Sequence, residues 1–196
     1  ERILRNFGVL VVSTGATITS SGGNISVVGI GTPTSPAVRL EGSGAITSGA
    51  NANITVTSDS LEFIGTPLGS INSGAGTTTI RSRTSGTQIN LGGGDVLSGS
   101  PLMLGLTDVE LDRVTAGMLV IGSGTAGNLT VSASSTRPSA TNMQLISGGD
   151  VNISGGTVNT GGGTLLLDAG PFPAAIRPTA PDVDVVASTL TLASRA

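Results

Sequence analysis

The sequence predicts an all-β protein built as a parallel β-helix, or β-solenoid, in which one chain coils so that its short strands stack. Its apolar residues are mainly Val, Ile and Leu, which favour the pleated surface of a strand. Its 31 Gly residues, with abundant Ser and Thr, supply frequent turns. A strand–turn–strand unit also recurs, so we expect one β-solenoid domain over residues 1–196, as part of a longer chain.

The recurring unit is a short apolar strand, a Ser-Gly turn, an Asn or Gln, and a second short strand. Its copies occupy residues 16–28, 45–57, 80–91, 119–132 and 144–156. The turn glycines are Gly22, Gly49, Gly86, Gly124 and Gly148, at spacings of 27, 37, 38 and 24 residues. Repeats of about 20–45 residues are typical of solenoids, propellers and arrays, in which insertions form loops.

Stacking explains how such a unit could fold. Parallel coils about 4.8 Å apart would let each short strand bury one face against its neighbours. Gly fits the corners because it adopts positive φ without steric cost. The residues expected to form an inner apolar column are Ile18, Ile25, Ile46, Ile54, Ile121, Leu129, Ile146 and Ile153. The alternating Ser and Thr would face water. A β-propeller or a two-sheet sandwich also fits short strands with turn signals.

Further strands are predicted between the copies, each bounded by Gly, Ser, Pro or Asn. They cover residues 37–40, 61–64, 77–80, 164–167, 182–187 and 189–193. One stretch, residues 106–117, instead favours a helix, because Thr107 and Glu110 form a capping box ahead of Leu111 and Val114. We therefore expect one short helical insertion near residues 107–114, inside the longest spacing between turns.

The composition excludes several classes of function. Only 11% of residues are charged, and the chain has no His, Cys, Trp, Tyr or Lys, so groups for acid–base or nucleophilic catalysis are scarce. A net charge of −3, with scattered Arg, offers no basic stripe for nucleic acid, and Phe7, Phe63 and Phe172 are too few to stack bases. Without Cys there is no disulfide or thiolate zinc site. The apolar run at residues 8–12 is too short to span a membrane.

Gly122, Gly124 and Gly127 spell the G-x-G-x-x-G pattern of a dinucleotide-binding turn. That turn requires a following helix, whose N-terminus receives the pyrophosphate. The residues after Gly127 instead alternate like a strand, and no acidic residue lies between Arg113 and Asp150 to bind a ribose. We interpret this stretch as a corner of the repeat and expect no cofactor.

Two GGDV stretches, at residues 93–96 and 148–151, raise the question of calcium, which binds Gly- and Asp-rich β-rolls. Consecutive nonapeptide repeats are missing, so Asp95 and Asp150 are expected to be solvated turn residues and no metal site is predicted.

A polysaccharide-cleaving enzyme would need clustered carboxylates beside an exposed sheet. The acidic candidates are Asp108, Glu110 and Asp112 beside Arg113, and the pair Asp182 and Asp184. The capping box explains the first group as a charged helix surface, and two acids on one strand are weak evidence. We expect no enzymatic activity and no catalytic residues.

Four Asn residues lie in N-x-S/T sequons: Asn24, Asn53, Asn128 and Asn152. They would accept glycans in a secreted eukaryotic protein. Because they follow the turn at what looks like one repeat position, with Gln88 in the equivalent place, we favour a structural ladder of Asn and Gln side chains from coil to coil.

Residues 106–131, LTDVELDRVTAGMLVIGSGTAGNLTV, resemble a segment of very large exported bacterial surface proteins of the filamentous haemagglutinin and autotransporter-adhesin type. The matching residues are Leu106, Thr107, Glu110, Leu111, Val114, Ile121, Gly122, Asn128 and Thr130. The resemblance implies a right-handed parallel β-helix, export to the cell surface, and a role as a stalk or adhesive fibre. It implies no catalytic residues.

We therefore expect a structural or adhesive β-solenoid segment of an exported cell-surface adhesin or extracellular filament. Its partners would be further coils, through end-to-end stacking or neighbouring repeats of the same chain, unless capped by residues 1–6 or the Pro-rich residues 171–181. The alternative is a carbohydrate-binding or polysaccharide-degrading β-helix. An ice-binding solenoid is a lesser alternative, because the pairs Thr17 and Thr19, Thr55 and Thr57, and Thr189 and Thr191 are expected on different sides of the coil.

Overall fold

The chain forms a stack of parallel β coils in the computed structural model, which describes residues 7–171, 173–178 and 184–195. Every pairing between its named strands is parallel. This arrangement confirms the predicted β-solenoid. Propellers and two-sheet sandwiches consist of antiparallel strands, so neither alternative fits. The predicted cap at residues 1–6, residues 172 and 179–181 of the predicted cap at 171–181, and residues 182 and 183 of the predicted strand at 182–187 lie outside the described residues.

The strands are short, as the frequent Gly, Ser and Asn residues predict. In chain order they are β1 (Val9–Val12), β2 (Thr17–Ser20), β3 (Ile25–Val28), β4 (Val38–Glu41), β5 (Ala45–Ser48), β6 (Ile54–Thr57), β7 (Leu61–Ile64), β8 (Ser70–Asn72), β9 (Thr77–Arg81), β10 (Gln88–Leu91), β11 (Met103–Leu106), β12 (Val114–Thr115), β13 (Met118–Gly122), β14 (Leu129–Val131), β15 (Ser135–Thr136), β16 (Asn142–Ile146), β17 (Val151–Ile153), β18 (Val158–Asn159), β19 (Thr164–Ala169), β20 (Ile176–Pro178), β21 (Val185–Val186) and β22 (Thr189–Ser194), with the helix α1 (Asp108–Leu111) between β11 and β12.

One sheet runs through the whole stack and defines seven coils. It contains seven strands in the order β3-β6-β9-β13-β16-β19-β22, one from each coil. Its register is continuous from Ile25 and Ile54 in the first coils to Leu165 and Leu190 in the last. The side chains of each coil therefore lie directly beside those of the next.

The other two walls of the solenoid are interrupted, one between the third and fourth coils and the other between the fourth and fifth. β1, β4 and β7 form one sheet, while β11, β10, β14, β17 and β20 form another. Similarly, β2, β5, β8 and β12 are separate from β15, β18 and β21. The interruption coincides with β11 and α1, which add an extra strand and a helix to the fourth coil. We call the junction between β7, β11 and α1 the seam.

The core consists of aliphatic columns that run along the stack. Each inward strand position places Ile, Leu or Val above a similar residue, as Ile46 lies between Ile18 and Ile71. Six of the eight predicted column residues are buried. Ile18 is only half-buried because it lies in the first coil. Ile146 faces outward, because its strand buries Met143 and Leu145 instead.

The helix begins where the capping box predicts but is shorter than expected. Thr107 accepts a hydrogen bond from the Glu110 N–H, and the Glu110 carboxylate accepts one from the Thr107 N–H. The helix ends at Leu111, with Asp112 as its C-cap, whereas the sequence predicted a helical stretch near residues 107–114. Val114 already belongs to the next strand, because pairing of β12 with β8 takes over the backbone there.

The five copies of the repeat occupy two different corners. The first two, at residues 16–28 and 45–57, join β2 to β3 and β5 to β6. The other three join β9 to β10, β13 to β14 and β16 to β17, one corner further along the coil. The step from Gly49 to Gly86 therefore includes a change of corner. The step from Gly86 to Gly124 includes the inserted β11 and α1.

The columns lead to a first prediction. Ile54→Ala should lower the free energy of unfolding by about 2–5 kcal/mol, because Ile54 is fully buried between coils and its removal leaves a cavity. Thr55→Ala, on the outward side of the same strand, should cost about 1 kcal/mol or less. Urea denaturation followed by circular dichroism compares the two. Equal losses would contradict the assigned register.

Candidate functional site

The seam is the most unusual polar site of the described chain. β7 ends one sheet and β11 begins the next, so backbone groups at their facing edges need other partners. The Asp95 carboxylate lies between them. The Leu61 N–H of β7 donates to Asp95 Oδ2 at 3.1 Å, and the Gly105 N–H of β11 donates to Oδ1 at 2.8 Å. One carboxylate thus replaces a missing stretch of sheet ladder.

Glu110 extends this bridging from the helix. Its Oε1 accepts a long hydrogen bond of 3.4 Å from the Phe63 N–H of β7, while Oε2 completes the capping box with Thr107. On the other side of the helix, Asp108 Oδ1 accepts a 2.7 Å hydrogen bond from the Thr136 N–H of β15. The acids of α1 therefore connect the coils on both sides of the insertion.

Basic residues complete the attachment of the helix. The guanidinium of Arg113 donates to the Gly69 carbonyl at 3.0 Å and to the Leu68 carbonyl at 3.1 Å. Buried Arg137 donates to the carbonyls of Leu111 and Val114, and burial lowers its pKa. The sequence predicted these acids and Arg113 to be a charged helix surface. In the structure, Asp108, Glu110 and Arg113 instead bond to different parts of the neighbouring coils.

The seam also perturbs the acidity of Asp95. Burial, together with the negative charges of Glu110 and Glu62, raises the pKa of the Asp95 carboxyl to about 8, although the two N–H donors act to lower it. Asp95 is not the solvated turn residue that the sequence predicted. The GGDV stretch looks like an exposed turn, but the long-range contact with β7 encloses the carboxylate.

A cleft of about 450 Å³ opens beside the seam. Its lining combines the acids Asp95, Glu110 and Glu62 with apolar residues that include Phe63 and Leu97. Glu62 is itself paired with Arg39, at 3.4 Å. Among the described residues, no three His, Cys, Asp or Glu side chains are grouped so that they could hold a metal ion.

The predicted Asn and Gln ladder is divided between two columns. Asn24 Oδ1 accepts from the Asn53 N–H at 3.0 Å, and Asn53 Oδ1 accepts from the Thr77 N–H at 2.9 Å, at the corner before β3, β6 and β9. These bonds join a side chain to the backbone of the next coil, rather than one amide side chain to another.

The second column lies at the corner before β10, β14 and β17. Asn128 Oδ1 accepts from the Asp150 N–H at 2.9 Å, and Gln88 precedes the pair of Ile89 with Leu129, which places it beside Asn128. Asp150 continues it by accepting from the Ala175 N–H at 2.7 Å. This bond, and the Arg177 side chain, lower the pKa of Asp150. Asn152 lies two residues further on, in the middle of β17, outside both columns.

Other residues that were not predicted have the same coil-to-coil role, among them Asn142, Asn51 and Asp59. Asn142 Oδ1 accepts from the Thr164 N–H at 3.1 Å, and Asn51 Oδ1 accepts from the Ala75 N–H at 2.9 Å. Asp59 accepts from the backbone N–H groups of Arg83 and Thr84. Asn142 could have been found by aligning strand starts rather than turn glycines, because it immediately precedes an alternating apolar run as Asn24 and Asn53 do.

The predicted turn glycines follow the division between corners. Gly22 and Gly49 lie in the turns before β3 and β6, and Gly86, Gly124 and Gly148 in those before β10, β14 and β17. Gly22 and Gly86 have positive φ values of 149° and 80°. In the G-x-G-x-x-G stretch, Gly122 ends β13, and the strand β14 follows Gly127. The stretch is a corner of the solenoid and lacks the helix that a dinucleotide site uses.

The Thr pairs do not form one surface. Thr17 and Thr19 belong to β2, while Thr55 and Thr191 share an outward column of the seven-stranded sheet. Val120, Gln144 and Leu166 interrupt that column between them. The prediction that the pairs lie on different sides is therefore right for β2 and wrong for β6 and β22, which lie on the same sheet.

The corner columns generate a second prediction. Asn53→Ala should lower the free energy of unfolding by about 0.5–1.5 kcal/mol, because the Thr77 N–H loses its acceptor in the preceding coil. Asn152→Ala serves as the matched control and should change stability by about 0.5 kcal/mol or less, because Asn152 lies outside the columns. Chemical denaturation measures both. A larger loss in the control would contradict the assigned roles.

The seam generates a third prediction, about pH. Because folding raises the pKa of Asp95 from 3.8 to about 8, its stabilising contribution is complete below the unfolded value and is lost as the pH rises through about 8. The urea midpoint of the wild-type chain should therefore fall between pH 3.8 and about pH 8, and Asp95→Asn should reduce this fall. Asp150→Asn is the control. The pKa of the Asp150 carboxyl is lowered, so this group titrates below that pH range. An unchanged slope in Asp95→Asn would contradict the assignment.

Comparison of the chain with models of protein families, with curated protein sequences and with solved structures returns no match. Within the described residues, no helix has the length and apolar character needed to cross a membrane.

Proposed function

We propose that this chain is a structural or adhesive β-solenoid segment of an exported cell-surface adhesin or extracellular filament, without catalytic activity. The observation that carries the proposal is the seven-stranded parallel sheet, which runs unbroken through all seven coils. A stack of this kind forms a stiff rod whose length grows with each coil.

The use of polar side chains supports a structural role. The Asp59 carboxylate accepts hydrogen bonds from Arg83, Thr84 and Thr87, all on the following coil. Burial alone would raise the pKa of Asp59, but these hydrogen bonds outweigh it and hold the pKa below its ordinary value. Together with the Asn columns, these contacts use polar groups to join coils.

The segment that resembles exported adhesins adds support. Residues 106–131 contain the end of β11, the capped helix, β12, β13 and β14. The matching residues Thr107 and Glu110 form the capping box, and the matching residues Leu111, Val114 and Ile121 lie in the core. The shared pattern thus consists of residues that build a coil with an insertion.

The seam cleft favours one second candidate, a carbohydrate-binding or polysaccharide-degrading β-helix. Glu62, Asp95 and Glu110 line the cleft, and carboxylates that face a cleft can accept hydrogen bonds from sugar hydroxyl groups. Their oxygens, however, already accept hydrogen bonds from backbone N–H groups or pair with Arg39. We therefore rank this candidate second.

The proposal predicts that the protein lies on the cell surface and does not cleave polysaccharides. An antibody raised against the chain should label intact cells of the native source, and mild protease treatment of those cells should remove the signal. Incubation with a panel of polysaccharides should release no reducing ends. A signal that is found only after cell lysis would contradict the proposed export.

The polysaccharide assay needs its own control. If sugar release occurred in the wild-type chain and disappeared in Asp95→Asn, the second candidate would replace the first. Asp150→Asn, which changes an acid outside the cleft, should leave any such activity unchanged.

A further inference from the structure

The seam leaves one strand edge open inside the stack, in the third of the seven coils. β7 pairs only with β4, and the C=O groups of Ser60 and Ile64 accept hydrogen bonds from β4 and the residue that follows it. Because alternate residues of a strand point to opposite sides, the C=O groups of Leu61 and Phe63 point to the seam. Among the described residues, none donates a hydrogen bond to either oxygen, although both residues are at most 5% exposed. Two buried acceptors therefore lack a protein donor beside the cleft.

The carboxylates of the cleft also lack positive charge. Asp95 and Glu110 accept hydrogen bonds from neutral groups, which do not offset a negative charge, and neither forms an ion pair with a described Arg. Glu62 shares Arg39 with Glu41, at 3.4 and 3.3 Å, and its buried Oε2 accepts no hydrogen bond within the described chain. Each Asp95 oxygen accepts one N–H and has room for a second donor.

The remaining wall of the cleft is apolar. Leu68, Leu97 and Val109 line it, together with Pro36 and Ile64. Its volume of about 450 Å³ lies within the range of small-molecule sites. A ligand that matches this cleft therefore combines hydrogen-bond donors and positive charge with an apolar body.

We propose that the seam cleft binds a protonated alkylamine, with its ammonium group at Asp95, Glu110 and the open edge of β7 and its alkyl chain against Leu97 and Val109. An ammonium group has three donors and no acceptor, which suits these groups. A sugar offers neutral hydroxyls, which do not offset the charge. The sequence contains no Lys, so the amine is either a free molecule or a Lys side chain from outside residues 1–196. The inference does not rest on the proposed structural function.

Protonation of Asp95 provides a readout that is specific to this site. The titratable groups that face it are Glu62 of β7 and Glu110 of α1, while β11 carries none and Arg113 is bonded to backbone carbonyls. Burial and these two acids raise the pKa of Asp95 to about 8, so its carboxyl is mostly protonated at about pH 7. A bound ammonium group lowers that pKa, so binding should release a proton to the buffer. The affinity should therefore rise with pH up to about 8.

The probe is n-butylamine, because it matches the end of a Lys side chain. Isothermal titration calorimetry of the folded chain should show binding, and the heat should vary with the ionisation enthalpy of the buffer because a proton is released. n-Butanol, which has the same alkyl chain without the charge, should not bind, and sodium chloride at equal ionic strength should give only heat of dilution. N-acetyl-lysine methylamide distinguishes the two sources: it binds if the cleft admits a Lys side chain, and n-butylamine alone binds if the cleft takes a free amine.

Two variants test the assigned residues. Asp95→Asn should weaken n-butylamine binding about tenfold or more and abolish proton release, because it removes one charge. Val109→Arg changes an exposed residue of the cleft wall and should weaken binding by its own positive charge, without touching the contacts of Asp95. Val109→Gln and Asp150→Asn are the matched controls and should bind like the wild type. Circular dichroism melting checks that each variant is folded.

Several results would overturn the inference. It is wrong if n-butylamine does not bind the folded wild-type chain, if it binds without proton release, or if n-butanol binds as tightly. It is also wrong if Val109→Arg binds like Val109→Gln, or if Asp150→Asn weakens binding as much as Asp95→Asn does. Surface labelling of native cells is unaffected by any of these outcomes, so the proposed function is tested separately.

Discussion

The structure depends on coil-to-coil pairing in parallel register. A short strand of Val, Ile and Ser cannot satisfy its backbone groups or bury its apolar face alone, so each coil is stable only beside another. This constraint explains the columns of aliphatic residues, in which Ile46 lies between Ile18 and Ile71. It also explains why Asn24 and Asn53 bond to the backbone of the next coil, because the corners lack the regular ladder.

The seam shows what happens when that pairing is interrupted. Inserting β11 and α1 leaves the edge of β7 without a regular neighbour, and the chain replaces the missing carbonyls with the carboxylates of Asp95 and Glu110. A carboxylate accepts two N–H groups well, but enclosing it disfavours its charge, which is why the pKa of Asp95 rises. The insertion is tolerated because three acids, Asp95, Asp108 and Glu110, reconnect the coils around it.

Composition and strand period were sufficient to predict the fold, the capping box and most of the core. The two-corner arrangement was not predictable, because the same strand, Ser-Gly turn and Asn serve both corners and nothing local distinguishes them. Leu145 and Ile146 are neighbours on one strand and point to opposite faces of the sheet. Only the pairing of this strand with β13 and β19 decides which of the two is buried. Asp95 lies in a turn-like GGDV sequence, and its enclosure results from contact with a distant strand.

The described end coils of the solenoid continue the same columns that fill its interior. Leu190 and Leu192 belong to the same columns as the buried Leu165 and Leu167, although they are themselves largely exposed. A coil cannot favour stacking on one side and resist it on the other without a charge, a bulge or a cap. The first described coil, residues 7–38, carries no charged side chain, and it therefore lacks the charges that commonly protect a sheet edge.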